Sequence, residues 1–146
     1  MVTRARDGEA LAREIEHTAD VGLEVDAPTL PMLFERAGLA MLALMVDLTG
    51  VAPRDVMPLV VEADGLAELL HDFLSALLVA CTARGFVASE LAVDAIDTRT
   101  VRATAKGERL DPARHDVRAE IKAVTYHELD VRPVPGGWQA RVIFDV

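Results

Sequence analysis

Residues 138–146 read WQARVIFDV, and their alternation of apolar and polar residues predicts a strand around which the fold is organised. The even positions from Trp138 to Phe144 share one apolar face, whereas Arg141 and Asp145 lie on the other. An earlier run, EIKAVTYH at residues 120–127, is also rich in β-forming residues, and a Pro/Gly segment at 133–137 follows it. This composition is typical of a hairpin with a longer loop.

Two acidic groups meet at the end of this strand. The α-carboxylate of Val146 follows the side chain of Asp145, so both negative charges are held at the tip of a sheet. Such charges repel each other unless water or a cation relieves the repulsion. The stretch alone leaves both a solvated strand end and a cation site open.

Composition limits the class of protein. With 146 residues and 51% hydrophobic residues, the chain fits one domain with a real core, preceded by a loose segment at about residues 1–12. A net charge of −9 disfavours an independent nucleic-acid or anionic-membrane binder. The lone Cys81 suits a reducing compartment, and the N-terminus has no apolar signal segment. We therefore expect a soluble, cytoplasmic protein that does not bind membranes.

Hydrophobic periodicity predicts the order of the elements. The alternation from Glu14 to Asp26 predicts one half-buried strand, bent at Gly22, with His17 toward the core and Asp20 on the polar face. Thr29 is a candidate N-cap for a first helix that is apolar nearly all round, which indicates either burial on two sides or a surface for another protein.

The second half continues this order. A second helix is expected to start at a cap on Asp64 and to stop at Gly85, with His71 lacking an obvious partner. Strands are predicted at Val56–Glu62 on an edge, at Phe86–Ile96 and at Thr100–Lys106, and a polar loop at 107–117 precedes the closing pair. The pattern predicts an α+β fold: two helices packed on one face of a largely antiparallel sheet, in a single two-layer domain.

Residues able to do chemistry concentrate in three places. They are the segment His17–Asp20, the segment Arg114–His127, and Asp145 with the C-terminus. The sequence contains no Gly-rich phosphate loop, no Cys/His cluster with metal-ligand spacing and no GxSxG motif. Strand tips from opposite ends of a sequence often meet in a sheet, so we expect the first and third places to lie close together.

These segments resemble the archease family along nearly the whole chain. The resemblance rests on HTADVG at 17–22, the helix start at residues 30–34, Arg114-His115, EIKAVTYH at 120–127 and FDV at 144–146. Archeases are small α+β proteins that assist the GTP-dependent RNA ligase of tRNA splicing. The resemblance implies a non-catalytic activator that promotes guanylylation of the ligase and its multiple turnover. One departure is Glu128, which follows the histidine where glycine or a neutral residue is common.

The resemblance also implies a bound divalent metal, held by Asp20, Asp145 and the Val146 carboxylate. Three carboxylates suit a hard cation, Ca²⁺ first, with Mg²⁺ or Mn²⁺ as alternatives. His17 and His127 share the apolar parity of their strands, and we expect both to be structural histidines near the site rather than ligands.

Three cationic or titratable side chains are the candidates for contact with the partner. Lys122, Arg114 and His115 could neutralise the acidic cage or meet a nucleotide phosphate in the active site of the ligase. Ordinary solvated side chains remain the alternative for all of them.

Two functions of different classes stay open. One is the activator, which needs no stable RNA binding of its own. The other is a stand-alone metal-dependent phosphoester hydrolase, which needs a general base and a substrate pocket beside the metal. The sequence offers no clear base and no phosphate cradle, which favours the activator. A purely structural module is the third alternative.

Overall fold

The structure of the chain, a computed structural model, describes the backbone of residues 2–17 and 20–146 and the side chains of residues 3–15 and 20–146. Besides a short 3₁₀ helix at Leu48–Gly50, it has two α-helices and nine strands in these ranges. In chain order they are β1 (Val2–Arg4), β2 (Ala10–His17), β3 (Asp20–Ala27), α1 (Leu30–Met45), β4 (Asp55–Glu62), α2 (Leu66–Arg84), β5 (Phe86–Ile96), β6 (Thr100–Arg109), β7 (Ala123–Val124), β8 (Asp130–Val134) and β9 (Gly137–Asp145).

The strands form two sheets, and every pairing among the described residues is antiparallel. The larger sheet has the order β1-β2-β3-β9-β7, with β8 also paired to β9, and the smaller has the order β4-β6-β5. Both helices contact strands of both sheets. The predicted α+β class with two helices and antiparallel strands is confirmed, but the strands divide between two sheets rather than lying in one.

Helix α1 lies at the centre of the core. Thr29 caps it as predicted, because its hydroxyl accepts the N–H of Met32 at 3.3 Å. Its side chains are buried on several faces, against β2, β3 and β9 of the larger sheet and β5 of the smaller one. This two-sided cover explains why its sequence is apolar nearly all round.

Helix α2 ends as predicted but begins differently. Gly85 stops it with a left-handed φ of 68°, a conformation that glycine adopts without strain. Its N-cap is Gly65 rather than Asp64, whose side chain extends into solvent. By length and composition the helix could span a membrane, yet most of its apolar residues between Leu69 and Cys81 are buried in the core, whereas Val79 is exposed.

The N-terminal third differs from expectation in two ways. The predicted loose segment is wrong, because β1 pairs with β2 and the side chains of Thr3, Ala5 and Leu11 are buried. The predicted single strand from Glu14 to Asp26 is also wrong, because β2 and β3 are two arms of a hairpin. Ile15 lies directly opposite Gly22, and a Cβ added to Gly22 would come within 2.5 Å of the Ile15 side chain.

The smaller sheet follows the predicted strands closely. Strand β5 has the predicted bounds, β4 is an edge strand, and β6 runs three residues further than expected, to Arg109. Near that end, Gly107 lies opposite Ala88, beside an irregularity in the pairing of β5. A Cβ on Gly107 would come within 1.9 Å of the Val87 carbonyl oxygen, so the two backbones approach at a distance that only glycine allows.

The close approach at Gly107 gives a test of the packing. Gly107→Ala is expected to reduce the free energy of unfolding by at least about 2 kcal/mol, since main-chain atoms must move apart. Gly50→Ala is the matched control, because an added Cβ there meets nothing within 4 Å. Urea unfolding of both variants measures the difference, and equal midpoints would contradict the packing described.

Candidate functional site

Two aspartates meet at one end of the larger sheet. Strand β3 begins at Asp20 and β9 ends at Asp145, and their register places these two residues directly opposite each other. On the other side of β9, Ala123 of β7 also pairs with Asp145. The segment that ends at Asp20 therefore lies beside the C-terminal residues, as expected. We call the group Asp20, Asp145 and Val146 the acidic tip.

The acidic tip concentrates negative charge on one face of the sheet. Residues directly opposite in an antiparallel pair share a face, with Cβ atoms about 4.5–5.5 Å apart, and like charges in such a pair are destabilising. Val146, which follows Asp145, is exposed. The donor atoms are all carboxylate oxygens, which is the set that hard divalent cations prefer. The chemistry of these residues therefore fits the predicted kind of metal.

The described side chains do not by themselves form a complete metal cage. Among them, no three His, Cys, Asp or Glu side chains lie close enough together to hold a metal ion. The predicted ligand set uses only two side chains, Asp20 and Asp145, together with a main-chain carboxylate. The metal ligands therefore stay a prediction.

Lys122 lies beside the acidic tip. Its backbone N–H donates to the carbonyl oxygen of Asp145 at 2.8 Å, and its side chain is exposed. This hydrogen bond holds the main chain just before β7 against the end of β9. The exposed side chain of Lys122 therefore starts from main chain that lies against the acidic tip, where another molecule can reach it.

The two predicted structural histidines have different outcomes. The backbone of His17 pairs with Asp20, but its side chain lies outside the described residues, so its expected place in the core stays a prediction. His127 is not a core residue, since 60% of its side chain is exposed. The parity argument is wrong there because β7 is only two residues long and a turn follows it, with Glu128 at a φ of 51°.

Arg114 and His115 belong to a buried cluster around Glu108. The Arg114 guanidinium donates to both carboxylate oxygens of Glu108, at 3.1 and 2.6 Å. The Nδ1 atom of His115 accepts a hydrogen bond from the backbone N–H of Asp111, so the ring proton is on Nε2. This Nε2–H donates to the Glu108 carboxylate at 3.0 Å. The backbone N–H of Ala52 donates to the same carboxylate at 2.7 Å. Glu108 thereby joins the end of β6, the segment after α1 and the loop at 110–119.

This cluster changes the interpretation of both residues. The His115 ring is fully buried, so the prediction that it contacts a partner is wrong. About half of the Arg114 side chain is exposed, and its contact with a partner stays a prediction, although its guanidinium already binds Glu108. Glu108 was missed from the sequence because it falls where the strand was expected to have given way to a polar loop.

A second missed residue is His71 on α2. Its Nε2 donates to the Val124 carbonyl oxygen at 2.9 Å, and its Nδ1 lies 2.8 Å from the Asp72 carboxylate. Its ring also stacks on Tyr126. The expectation that His71 has no partner is therefore wrong, since only tertiary structure brings β7 to this helix.

Electrostatics show how tightly Glu108 is held. Hydrogen bonds from the Arg114 guanidinium, from the Ala52 N–H and from the His115 ring, in that order, lower the pKa of Glu108 well below its ordinary value. A carboxylate whose pKa is lower in the folded chain stabilises the fold above its pKa in the unfolded chain. That stabilisation is lost as the pH falls toward the folded-state pKa.

The lowered pKa predicts a pH-dependent stability. Between pH 7 and about pH 3, the wild-type chain should lose more free energy of unfolding than Glu108→Gln, which has no carboxylate to protonate. At pH 7 the variant should melt several degrees lower, because the buried partners of Glu108 lose an ionised acceptor. Glu120→Gln, at an exposed position, is the control. Parallel pH profiles for wild type and Glu108→Gln would contradict the assignment.

The chain is similar to known proteins along most of its length. The sequence profile of the Archease protein family matches residues 13–146. An archease from Methanopyrus kandleri is 37% identical over 136 residues, which cover 91% of this chain and 97% of that protein. One from Pyrococcus abyssi is 34% identical over 135 residues, covering 90% and 95%.

Solved structures show the same fold. The solution structure of a Methanobacterium thermoautotrophicum protein superposes with a TM-score of 0.79 at 29% identity and covers 93% of this chain and 99% of its own. The crystal structure of a Thermotoga maritima archease, described as a possible chaperone, has a TM-score of 0.63 at 20% identity over 92% of this chain and 96% of its own, and supports the fold alone. From the family match and these relatives, the chain belongs to the archease family.

Proposed function

We propose that this archease is a non-catalytic activator of a GTP-dependent RNA ligase, the class that joins 2′,3′-cyclic-phosphate or 3′-phosphate ends to 5′-hydroxyl ends in tRNA splicing. It promotes guanylylation of the ligase and so sustains repeated turnover. The observation that carries the proposal is the direct pairing of Asp20 with Asp145 at a strand end. Repelling carboxylates at a sheet tip are suited to holding a cation that another protein can approach.

A divalent cation belongs to this proposal. Asp20 and Asp145 would hold it, with the Val146 carboxylate as the third ligand, and Ca²⁺, Mg²⁺ or Mn²⁺ suits such oxygen donors. When bound, the cation supplies positive charge that offsets the charge of a nucleoside triphosphate. The contribution of the chain is to hold three negatively charged carboxylates close together, so that a cation is needed to offset their repulsion.

Lys122 has a separate role in the proposal. Its backbone N–H is hydrogen-bonded to Asp145, so its exposed side chain starts from main chain beside the acidic tip. An ammonium group there can contact a phosphate or an acidic side chain of the ligase. Arg114 lies elsewhere, on Glu108, and it is a secondary candidate for contact with the partner.

The charge of the protein argues against action through RNA binding. Affinity for RNA comes largely from Lys and Arg side chains that neutralise phosphates. The chain has a net charge of −9, and many of its arginines pair with carboxylates, such as Arg13 with Glu24 and Arg114 with Glu108. We therefore propose that the protein acts on the ligase–GTP step in the cytoplasm, without a stable complex with RNA.

Guanylylation without RNA tests the proposal. Adding the protein to its matching ligase with GTP and a divalent cation should accelerate formation of the covalent ligase–GMP adduct. Asp145→Asn should remove most of this acceleration, and Lys122→Ala should reduce it. Asp55→Asn, an exposed aspartate at the start of β4 in the other sheet, is the matched control and should behave as wild type.

Two results would count against the proposal. Acceleration that appears only when RNA is present would indicate a role in presenting RNA. Metal-dependent phosphoester cleavage by the isolated protein would favour the stand-alone hydrolase, which needs a base and a substrate pocket of its own.

A further inference from the structure

Tyr126 is an aromatic side chain exposed on the surface close to the acidic tip. Of its surface, 63% is open to solvent, more than for any other large hydrophobic residue in the described part of the chain. Aromatic rings of this kind are costly to leave in water and are enriched at the centres of protein interfaces. The fold does not use most of this ring for packing.

The ring is nevertheless held in place. It stacks on the imidazole of His71 with centroids 3.8 Å apart and an interplanar angle of 13°. His71 is itself fixed between the Val124 carbonyl oxygen and the Asp72 carboxylate. A ring that is already ordered loses little conformational entropy when a partner binds, which favours its use as an anchor.

The surface next to Tyr126 carries an excess of negative charge. A cleft of about 630 Å³ separates the ring from the end of β4 and the start of α2. One cation, Arg99, lines it and lies 3.8 Å from Asp64. The four carboxylates that line it are those of Glu62, Asp64, Glu68 and Asp72. One arginine does not balance four acids, so the cleft attracts positive charge.

The position of Tyr126 links it to the acidic tip. Ala123 pairs with Asp145, and Tyr126 follows three residues later, so their Cα atoms are at most about 10 Å apart, the length of three extended residues. A protein large enough to reach the acidic tip can therefore reach Tyr126 at the same time. RNA is a poor occupant, because its phosphates would face four carboxylates.

We propose that Tyr126, supported by His71 and flanked by these carboxylates, is a docking site for a basic segment of the partner protein. An Arg or Lys side chain would lie over the exposed face of the Tyr126 ring, and its charge would pair with the carboxylates of the cleft. This inference rests on the proposed function for the identity of the partner, the RNA ligase. It assigns to Tyr126 a role in affinity, distinct from the role of the acidic tip in guanylylation.

Affinity and rate measured separately test this division. Binding of the matching ligase to the immobilised full chain should weaken about tenfold for Tyr126→Ala, and little for Tyr126→Phe, which keeps the stacked ring. At saturating concentration, Tyr126→Ala should still accelerate guanylylation as wild type does. Thermal unfolding of both variants checks that the fold is intact.

Charge reversal tests the nature of the partner segment. Glu62→Lys, at the edge of the cleft, should weaken ligase binding about tenfold, whereas Glu90→Lys, an exposed strand residue outside this cleft, should not. Wild-type affinity for Tyr126→Ala or for Glu62→Lys would overturn the docking site while leaving the proposed function standing. The docking site would also be overturned if the wild-type protein binds single-stranded RNA and Tyr126→Ala abolishes that binding. Failure of the wild-type protein to bind or accelerate the ligase would instead overturn the proposed function, and the docking site with it.

Discussion

The antiparallel pairing of β3 with β9 determines both how the core of the larger sheet is buried and where the acidic tip lies. It runs without interruption from Ala27 opposite Trp138 to Asp20 opposite Asp145. Leu23, Val25, Val142 and Phe144 are all buried, so a slip of one residue would move the apolar set of either strand to solvent. Gly137 adds a steric limit, because a Cβ there would come within 2.2 Å of the Ala27 carbonyl oxygen. The register that buries the core is therefore the register that juxtaposes the two aspartates.

The loop between β6 and β7 depends on a second anchor. Glu108 holds its first part through Arg114 and His115. Further along, two backbone hydrogen bonds hold the loop against the end of α1. The loop residue Asp116 accepts one from the Asp47 N–H, and the loop residue Arg118 donates one to the Met45 carbonyl oxygen. It then reaches β9, where the Lys122 N–H meets Asp145. A buried carboxylate at the start of the loop thus helps to hold the path of the main chain that ends at Lys122.

Elements set by local chemistry were predictable from the sequence, whereas features set by long-range pairing were not. The Thr29 cap, the Gly85 stop and strand Phe86–Ile96 follow from capping, backbone freedom and alternation within one segment. The hairpin of β2 and β3 was missed because the apolar–polar alternation of the sequence continues through both strands. Likewise, Asp20 and Asp145 could be singled out by their charge and by family resemblance. One partner of His71, the Val124 carbonyl oxygen, lies 53 residues away, and one partner of Glu108, the Ala52 N–H, lies 56 residues away, so no local pattern indicates them.

We propose that the acidic tip is a divalent-cation site, created by the β3–β9 register. Calorimetric titration of Ca²⁺ into wild type, Asp20→Asn, Asp145→Asn and the double variant tests it most directly. If both carboxylates bind one ion, each single variant should lose at least about tenfold in affinity, and the double variant should lose much less than the product of the two effects. Wild-type affinity in both single variants would contradict the claim.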